Sequence, residues 1–217
     1  MLKGISGVLV IAFTTATIAA AGRPDATSMR DPELGDHWTY TQRDEVTGED
    51  KGTYTQTVTD TRGEEISVLV TMEGKASGLE TFDRQWNMTD SLRWRYSPHD
   101  GFGIRRPLVV GAAWTVDVGR TSTMGRSVTS KGSRTVRVVG EGQVTTRAGQ
   151  FDAFEIENSF RNEGDGSAKT EQEGVLRIWY APAIDHWVKR VTEAQLDGGR
   201  ATKSTEELVA YGRLKDN

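Results

Sequence analysis

Three histidines, His37, His99 and His186, are the side chains in this sequence best suited to metal binding or proton transfer. Each is isolated in the chain, and there is no cysteine, so a metal site would have to be assembled from distant strands. Ser97 lies beside the pair His99-Asp100, but neighbouring side chains on a strand point to opposite faces, and no G-x-S-x-G nucleophile motif occurs. We therefore predict no metal site and no catalytic residue.

No cofactor is predicted either. A phosphate-binding glycine loop works at the start of a helix, and the sequence shows no helix for such a loop to open. The segment Gly101-Phe102-Gly103 is better explained as part of a turn formed with Pro98 and Asp100.

Aromatic residues and arginines between residues 84 and 114 form the best candidate for ligand binding. Arg93 and Arg95 alternate with Trp94 and Tyr96, so a strand here would carry cations on one face and rings on the other. Such arginines could hold an anion, although the solvated face of a strand is the commoner explanation. The predicted ligand-binding residues are Trp86, Trp94, Tyr96, Trp114, Arg93 and Arg95.

Two other functions fit the same residues. Trp86, Trp94 or Trp114 could stack on sugar rings in a carbohydrate-binding module, provided that the indoles are exposed and coplanar. A hydrolase of envelope polymers could use Glu155, Glu157 or Asp117, which would require two carboxylates about 5 to 9 Å apart in an open cleft.

Apolar residues recur at every second position through most of the chain, which is the period of half-buried strands, and no segment has the 3.6-residue period of a helix. We predict an all-β fold: a single antiparallel β domain over residues 35–213 with about ten to eleven strands. A curved sheet or half-barrel and a sandwich are both consistent with this pattern. Gly132 should separate two strands, Ala148-Gly149 should form a hairpin turn, Pro182 should end a strand, and Gly198-Gly199 should form the last hairpin.

The N-terminus has the pattern of a signal peptide, predicted over residues 1–21. Lys3 precedes an apolar run from Ile5 to Ile18, and the small residues Ala19-Ala20-Ala21 follow. Residues 22–34 mix Pro, Asp, Ser and Arg without a period and are predicted to be a flexible lead-in. We expect a periplasmic or secreted protein without a lipobox cysteine and without a stable membrane span after cleavage.

The charges are balanced and dispersed, 27 Lys and Arg against 31 Asp and Glu. A formal net charge of -4 without a basic patch argues against nucleic acid as a partner. We expect a monomer.

Several turn and strand motifs resemble a family of exported bacterial proteins of unknown function, sometimes labelled TapB-like. The motifs are Gly35-x-x-Trp38-x-Tyr40, Gly142-x-Val144-Thr145, Ala148-Gly149-x-Phe151-x-Ala153-Phe154, Trp179-Tyr180-Ala181-Pro182 and Val188-Lys189-Arg190. The glycine-rich link usual after Trp-Tyr-Ala-Pro is here Ala183-Ile184-Asp185-His186. The resemblance covers roughly residues 35–211, and it implies a periplasmic β-rich domain with no catalytic residues to carry over.

The leading hypothesis from the sequence is an exported, non-enzymatic β-domain of the cell envelope. It would bind either an apolar small molecule in the hollow of the sheet or an envelope protein partner.

Overall fold

The computed structural model describes residues 31–72, 78–124, 128–164 and 172–213. The predicted signal peptide and residues 22–30 of the predicted lead-in lie outside these ranges. The described residues form twelve strands: β1 (His37–Asp44), β2 (Asp50–Asp60), β3 (Glu65–Met72), β4 (Gly78–Asp83), β5 (Met88–Asp90), β6 (Trp94–Ser97), β7 (Ala113–Ser122), β8 (Thr129–Thr146), β9 (Gly149–Asn162), β10 (Gln172–Ala181), β11 (His186–Leu196) and β12 (Thr202–Gly212). A 3₁₀ turn, Pro182–Ile184, joins β10 to β11.

The strands form a closed antiparallel barrel in which each strand pairs with its neighbours in the chain. Closure comes from β1 and β12, which pair from His37–Gly212 to Asp44–Ser204 with one register shift. Closure leaves neither the first nor the last strand with a free edge of unpaired backbone groups.

The all-β, antiparallel prediction is confirmed, whereas the expected half-barrel or sandwich of ten to eleven strands is wrong. Alternation of apolar residues is the same in an open and in a closed sheet, so it cannot show whether β1 meets β12. A strand as short as β5, with three residues, has no measurable period, whereas the alternation at Arg93–Tyr96 does predict β6. A turn in which Trp86 has φ 60° separates β4 from β5.

Three of the four predicted strand boundaries are confirmed. Gly149 has φ 136° at the β8–β9 turn, β10 ends immediately before Pro182, and β11 and β12 are linked through Gly198. Gly132 is different, because it lies within β8 and pairs with Val118 of β7. A side chain there would come within 2.5 Å of the Arg161 carbonyl oxygen on β9, so this glycine permits close approach of two strands.

The barrel interior follows the alternation. Trp38 and Tyr40 of β1 are both fully buried, as are Ile66 and Val68 of β3. Each such side chain stabilises the fold by about 1.5–3 kcal/mol relative to an exposed one. In the part of the chain that is described, no helix has the length and apolar character needed to cross a membrane.

Candidate functional site

Aromatic rings fill one part of the barrel interior. Four aromatic rings pack around the ring of His186: those of Trp38, Tyr40, Trp86 and Trp187. We call these five residues the aromatic plug. The His186 ring lies 4.1 Å from the Trp38 ring, nearly parallel to it, and 3.7 Å from the Trp187 ring, centroid to centroid. Trp86 packs edge-on against His186 at 4.7 Å.

Hydrogen bonds hold the plug in place. The Tyr40 hydroxyl donates to the Trp187 carbonyl oxygen at 2.9 Å and lies 2.5 Å from His186 Nδ1. Burial lowers the pKa of His186, and nearby Arg190 and Arg213 lower it further. The imidazole is therefore neutral, and it lies between the rings of Trp38 and Trp187.

A second buried group lies next to the plug, at the 3₁₀ turn. Asp185 adopts the left-handed conformation, with φ 48°, and its side chain is fully buried. Arg106 Nη2 donates to Asp185 Oδ1 at 2.6 Å, and the Tyr180 hydroxyl donates to the same oxygen. These bonds attach the loop before β7 to the end of β10.

A cavity of about 270 Å³ lies inside the barrel against the plug. Trp86 and Trp187 form part of its wall. The other apolar lining residues are Val70, Met72, Phe82, Met88, Phe102, Ile104, Leu176 and Ile178. An engineered apolar cavity of about 150 Å³ holds benzene, so by proportion this one has room for roughly eleven non-hydrogen atoms.

Six polar side chains form a belt across one side of the cavity: Gln42, Tyr54, Gln56, Glu80, Arg190 and Glu206. Arg190 Nε donates to Glu206 Oε2 at 2.8 Å, and its Nη2 contacts the same oxygen. The Tyr54 hydroxyl also donates to Glu206 Oε2, at 2.8 Å. The guanidinium lies 4.2 Å from the centre of the Trp187 ring. Arg190 is thus committed to Glu206 and to the plug.

The other half of the polar belt is incompletely paired. Gln56 is 4% exposed, and its Nε2 donates to Glu80 Oε2 at 3.4 Å. Among the described residues, Gln56 Oε1 has no hydrogen-bond partner. Burial raises the pKa of Glu80, against the opposing effect of Arg190. A buried acceptor without a donor costs about 1–3 kcal/mol.

Asp100 adds a third carboxyl group to the lining, from the loop between β6 and β7. Its Oδ1 accepts the backbone N–H groups of Met88 at 3.0 Å and Phe102 at 3.1 Å. Burial raises the pKa of Asp100 to about 7. The group therefore titrates near neutral pH, although the sequence suggested only a turn residue here.

The predicted ligand-binding residues do not converge. Trp86 alone lines the cavity, and at 3% exposed it is part of the plug. Trp94 is half-buried on β6, with the Arg120 guanidinium 4.5 Å from its ring centre. Tyr96 is also half-buried, and burial raises its pKa to about 12.

The remaining three lie elsewhere. Arg93 and Arg95 are exposed, and Arg95 Nε donates to Asp90 at 2.9 Å. Trp114 lines a separate pocket of about 180 Å³ together with His99 and Arg105. A shared binding face for the six residues is therefore not formed.

The carboxylates considered for hydrolysis lie on the outer face of the barrel. Glu155 and Glu157 alternate with buried residues of β9, and Glu157 Oε2 accepts from Arg177 Nε at 3.4 Å. Asp117 is exposed on β7 and lines a surface groove with Lys131. The strand registers place Asp117 roughly 16 Å from Glu157, four residues along and two strands across, which is too far for a catalytic pair. Glu155 and Glu157, two residues apart on β9, are separated by roughly 7 Å along the outer face of the strand.

Within the described ranges, no group of three or more His, Asp or Glu side chains could hold a metal ion. His99 is not part of such a group. Its Nδ1 accepts a hydrogen bond from the Gly101 backbone N–H at 3.1 Å.

The polar belt was missed in the sequence, yet a signal for it was present. Tyr54 and Gln56 precede Val58 at the inward positions of β2, and Arg190 follows Val188 in the same way on β11. A polar residue in phase with apolar inward residues indicates a buried polar group.

Comparison with known proteins adds information on the fold. No family model and no curated protein matches this sequence. A solved structure described as a "putative lipoprotein" from Parabacteroides distasonis is similar, with a TM-score of 0.56 and 13% identity, over 84% of this chain and 97% of that chain. At such low identity this likeness shows a common fold.

Two further structures are similar at lower TM-scores. One is described as a "putative exported protein with YmcC-like fold" from Bacteroides fragilis: TM-score 0.46, 13% identity, covering 85% of this chain and 99% of that one. The other is the "hypothetical lipoprotein YmcC" from Escherichia coli: TM-score 0.49, 11% identity, covering 83% and 87%. None of the three descriptions contains the TapB-like name, so that resemblance stays a prediction.

Proposed function

We propose that this protein is an exported, non-enzymatic β-barrel that binds a small, largely apolar molecule in its interior cavity. The observation that carries the proposal is the 270 Å³ space left between the aromatic plug and the polar belt. A barrel of about eight strands is just wide enough for side chains to fill, so the twelve strands of this barrel leave room for a cavity. Unfilled apolar volume costs stability. A ligand would remove that cost.

The proposed location rests on the N-terminal pattern and on the structural likeness. Lys3, the apolar run from Ile5 to Ile18 and the small residues that end at Ala21 are typical of an export signal. The similar fold from Parabacteroides distasonis belongs to a protein described as a "putative lipoprotein", which agrees with a place in the cell envelope.

A pair of variants on one strand tests the proposal. Val70 faces the cavity, whereas Leu69 beside it points outward and pairs with Leu79 of β4. Val70→Phe should fill part of the cavity, and Leu69→Phe adds similar bulk to the outer surface.

The assay is native mass spectrometry of the full protein purified from the envelope fraction of its own host, before and after mild organic extraction. We expect a small extractable adduct on the wild type and on Leu69→Phe, and a reduced one on Val70→Phe. A bare wild-type mass, together with no binding of the small aromatic probes described below, would contradict the proposal. Crosslinking for an envelope protein partner would then be the next experiment.

A further inference from the structure

The charge of the cavity lining is uneven. Three carboxyl groups face the cavity, those of Glu80, Asp100 and Glu206, against a single cation, Arg190. Arg190 is bound to Glu206 through two of its nitrogens, so that pair is internally neutral. On the side of the cavity near Glu80, no cation from the described residues is bound to the carboxyl oxygens.

The same side holds the unpaired acceptor. Gln56 and Glu80 lie on β2 and β4, on either side of β3, and are joined only by the long 3.4 Å hydrogen bond. Gln56 Oε1 is buried without a donor among the described residues. A group that donates several hydrogen bonds would satisfy this oxygen and a Glu80 oxygen together.

The tryptophans of the cavity wall do not change the preference of the lining for a ligand that donates hydrogen bonds. In the part of the chain that the structure describes, Trp86 Nε1 and Trp187 Nε1 also have no partner at hydrogen-bond distance. Burial raises the pKa of Asp185, and the Trp86 indole is one of the groups that oppose this rise, which places the indole N–H on the plug side. The remaining indole donor, Trp187 Nε1, could bind a ligand oxygen, but it adds no charge to the lining.

We infer that the ligand carries a protonated amine on a compact apolar body, with the ammonium group held by Gln56 Oε1 and Glu80 and the body packed against Val70, Met72 and Phe82. This inference rests on the proposed function and names the chemical class of its ligand. An ammonium group has three donors and a positive charge, which matches the neighbouring acceptors and the excess of carboxyl groups. The available volume suits a body of about one ring and a short chain.

Three probes of nearly equal size separate the head groups: phenylbutylamine, phenylbutanol and phenylbutyrate. Binding to the full-length protein at neutral pH can be followed by isothermal titration calorimetry or by tryptophan fluorescence, to which Trp86 and Trp187 of the cavity wall contribute. A hydrogen bond to a charged group contributes about 1.5–3 kcal/mol, so the amine should bind at least about tenfold more tightly than the alcohol. The carboxylate should bind most weakly.

Two matched variants test whether Glu80 is responsible for the tighter binding of the amine. Glu80→Gln removes the inward carboxylate and should reduce the amine's affinity to that of the alcohol, while leaving the alcohol's affinity within about twofold. Glu173→Gln removes an exposed carboxylate from β10 and should change neither affinity. The unfolding midpoint of each variant, measured in parallel, shows that it is folded.

The outcomes separate the inference from the proposed function. If the amine and the alcohol bind equally and both are weakened by Val70→Phe, the cavity binds ligands but the cationic head group is wrong. Preference for phenylbutyrate would also overturn the inference, because Arg190 would then be the anchor. If none of the three probes binds and the purified protein has no adduct, the proposed function itself fails.

Discussion

Replacing Asp100 by Asn should make the protein more stable at alkaline pH. The ordinary pKa of this carboxyl group is 3.8, and burial raises it to about 7 in the folded protein. Between these two values the native state holds a proton that the unfolded chain has released, so the native state binds more protons and its stability falls as the pH rises. Above pH 7 both states are ionised and the loss is complete.

The magnitude follows from the size of the shift. About three pKa units at 1.36 kcal/mol each correspond to roughly 4 kcal/mol, an upper value because water entering the cavity would solvate the carboxylate. The charges that act on Asp100 oppose one another, since Arg134 favours the ionised form and Asp83 disfavours it. Asparagine keeps an acceptor for the N–H groups of Met88 and Phe102 and resembles the protonated acid.

The assay is urea unfolding followed by tryptophan fluorescence at several pH values between about 4.5 and 8.5. The free energy of unfolding of Asp100→Asn should match that of the wild type within about 1 kcal/mol at the acidic end and exceed it by about 2–4 kcal/mol at the alkaline end. Asp117→Asn, at an exposed position of β7, is the control and should show a constant difference. A pH-independent difference for Asp100→Asn, or lower stability than wild type at pH 8, would refute the reasoning.

Three further substitutions test other parts of the barrel, each measured by urea unfolding. Arg190→Met should cost about 1–3 kcal/mol because it leaves the half-buried Glu206 carboxylate without its cation, and Arg190→Met combined with Glu206→Met should recover much of that loss; additive losses would contradict the pairing. Gly132→Ala should cost about 1–3 kcal/mol through contact with β9, whereas Gly142→Ala, in the same strand with open space around it, should be neutral or stabilising; equal effects would be inconsistent with the close approach. Tyr40→Phe should cost about 1–3 kcal/mol because the buried imidazole and carbonyl of the plug lose their hydroxyl partner, and an unchanged midpoint would show that those bonds contribute little.

The aromatic residues show why sequence patterns located the core and missed the site. Trp86 and Trp94 have similar neighbours in the sequence, because each lies near arginines. Nevertheless, Trp86 is part of the plug, whereas Trp94 packs under Arg120 near the surface. Trp86 takes its inward position from a turn with positive φ, which strand periodicity does not describe. The side chains that do form the cavity, such as Gln56 and Glu206, come from strands far apart in the chain.

The sequence by itself determined the strand character of the chain and most of the inward positions. This is possible because side chains alternate along a strand, so Trp38 with Tyr40, or Ile66 with Val68, must share a face whatever the sheet does next. Local turn chemistry likewise located Gly149 and Pro182 at the ends of strands.

Only the tertiary structure decided that the sheet closes and what the closed space contains. The pairing of β1 with β12 joins residues at opposite ends of the domain, and the contacts of Arg190 with Glu206 depend on the register of β11 against β12. Alternation gives the side of the sheet for each residue but carries no information on which strand lies opposite or how much volume remains between them. The cavity and its unpaired acceptor are therefore properties of the closed barrel.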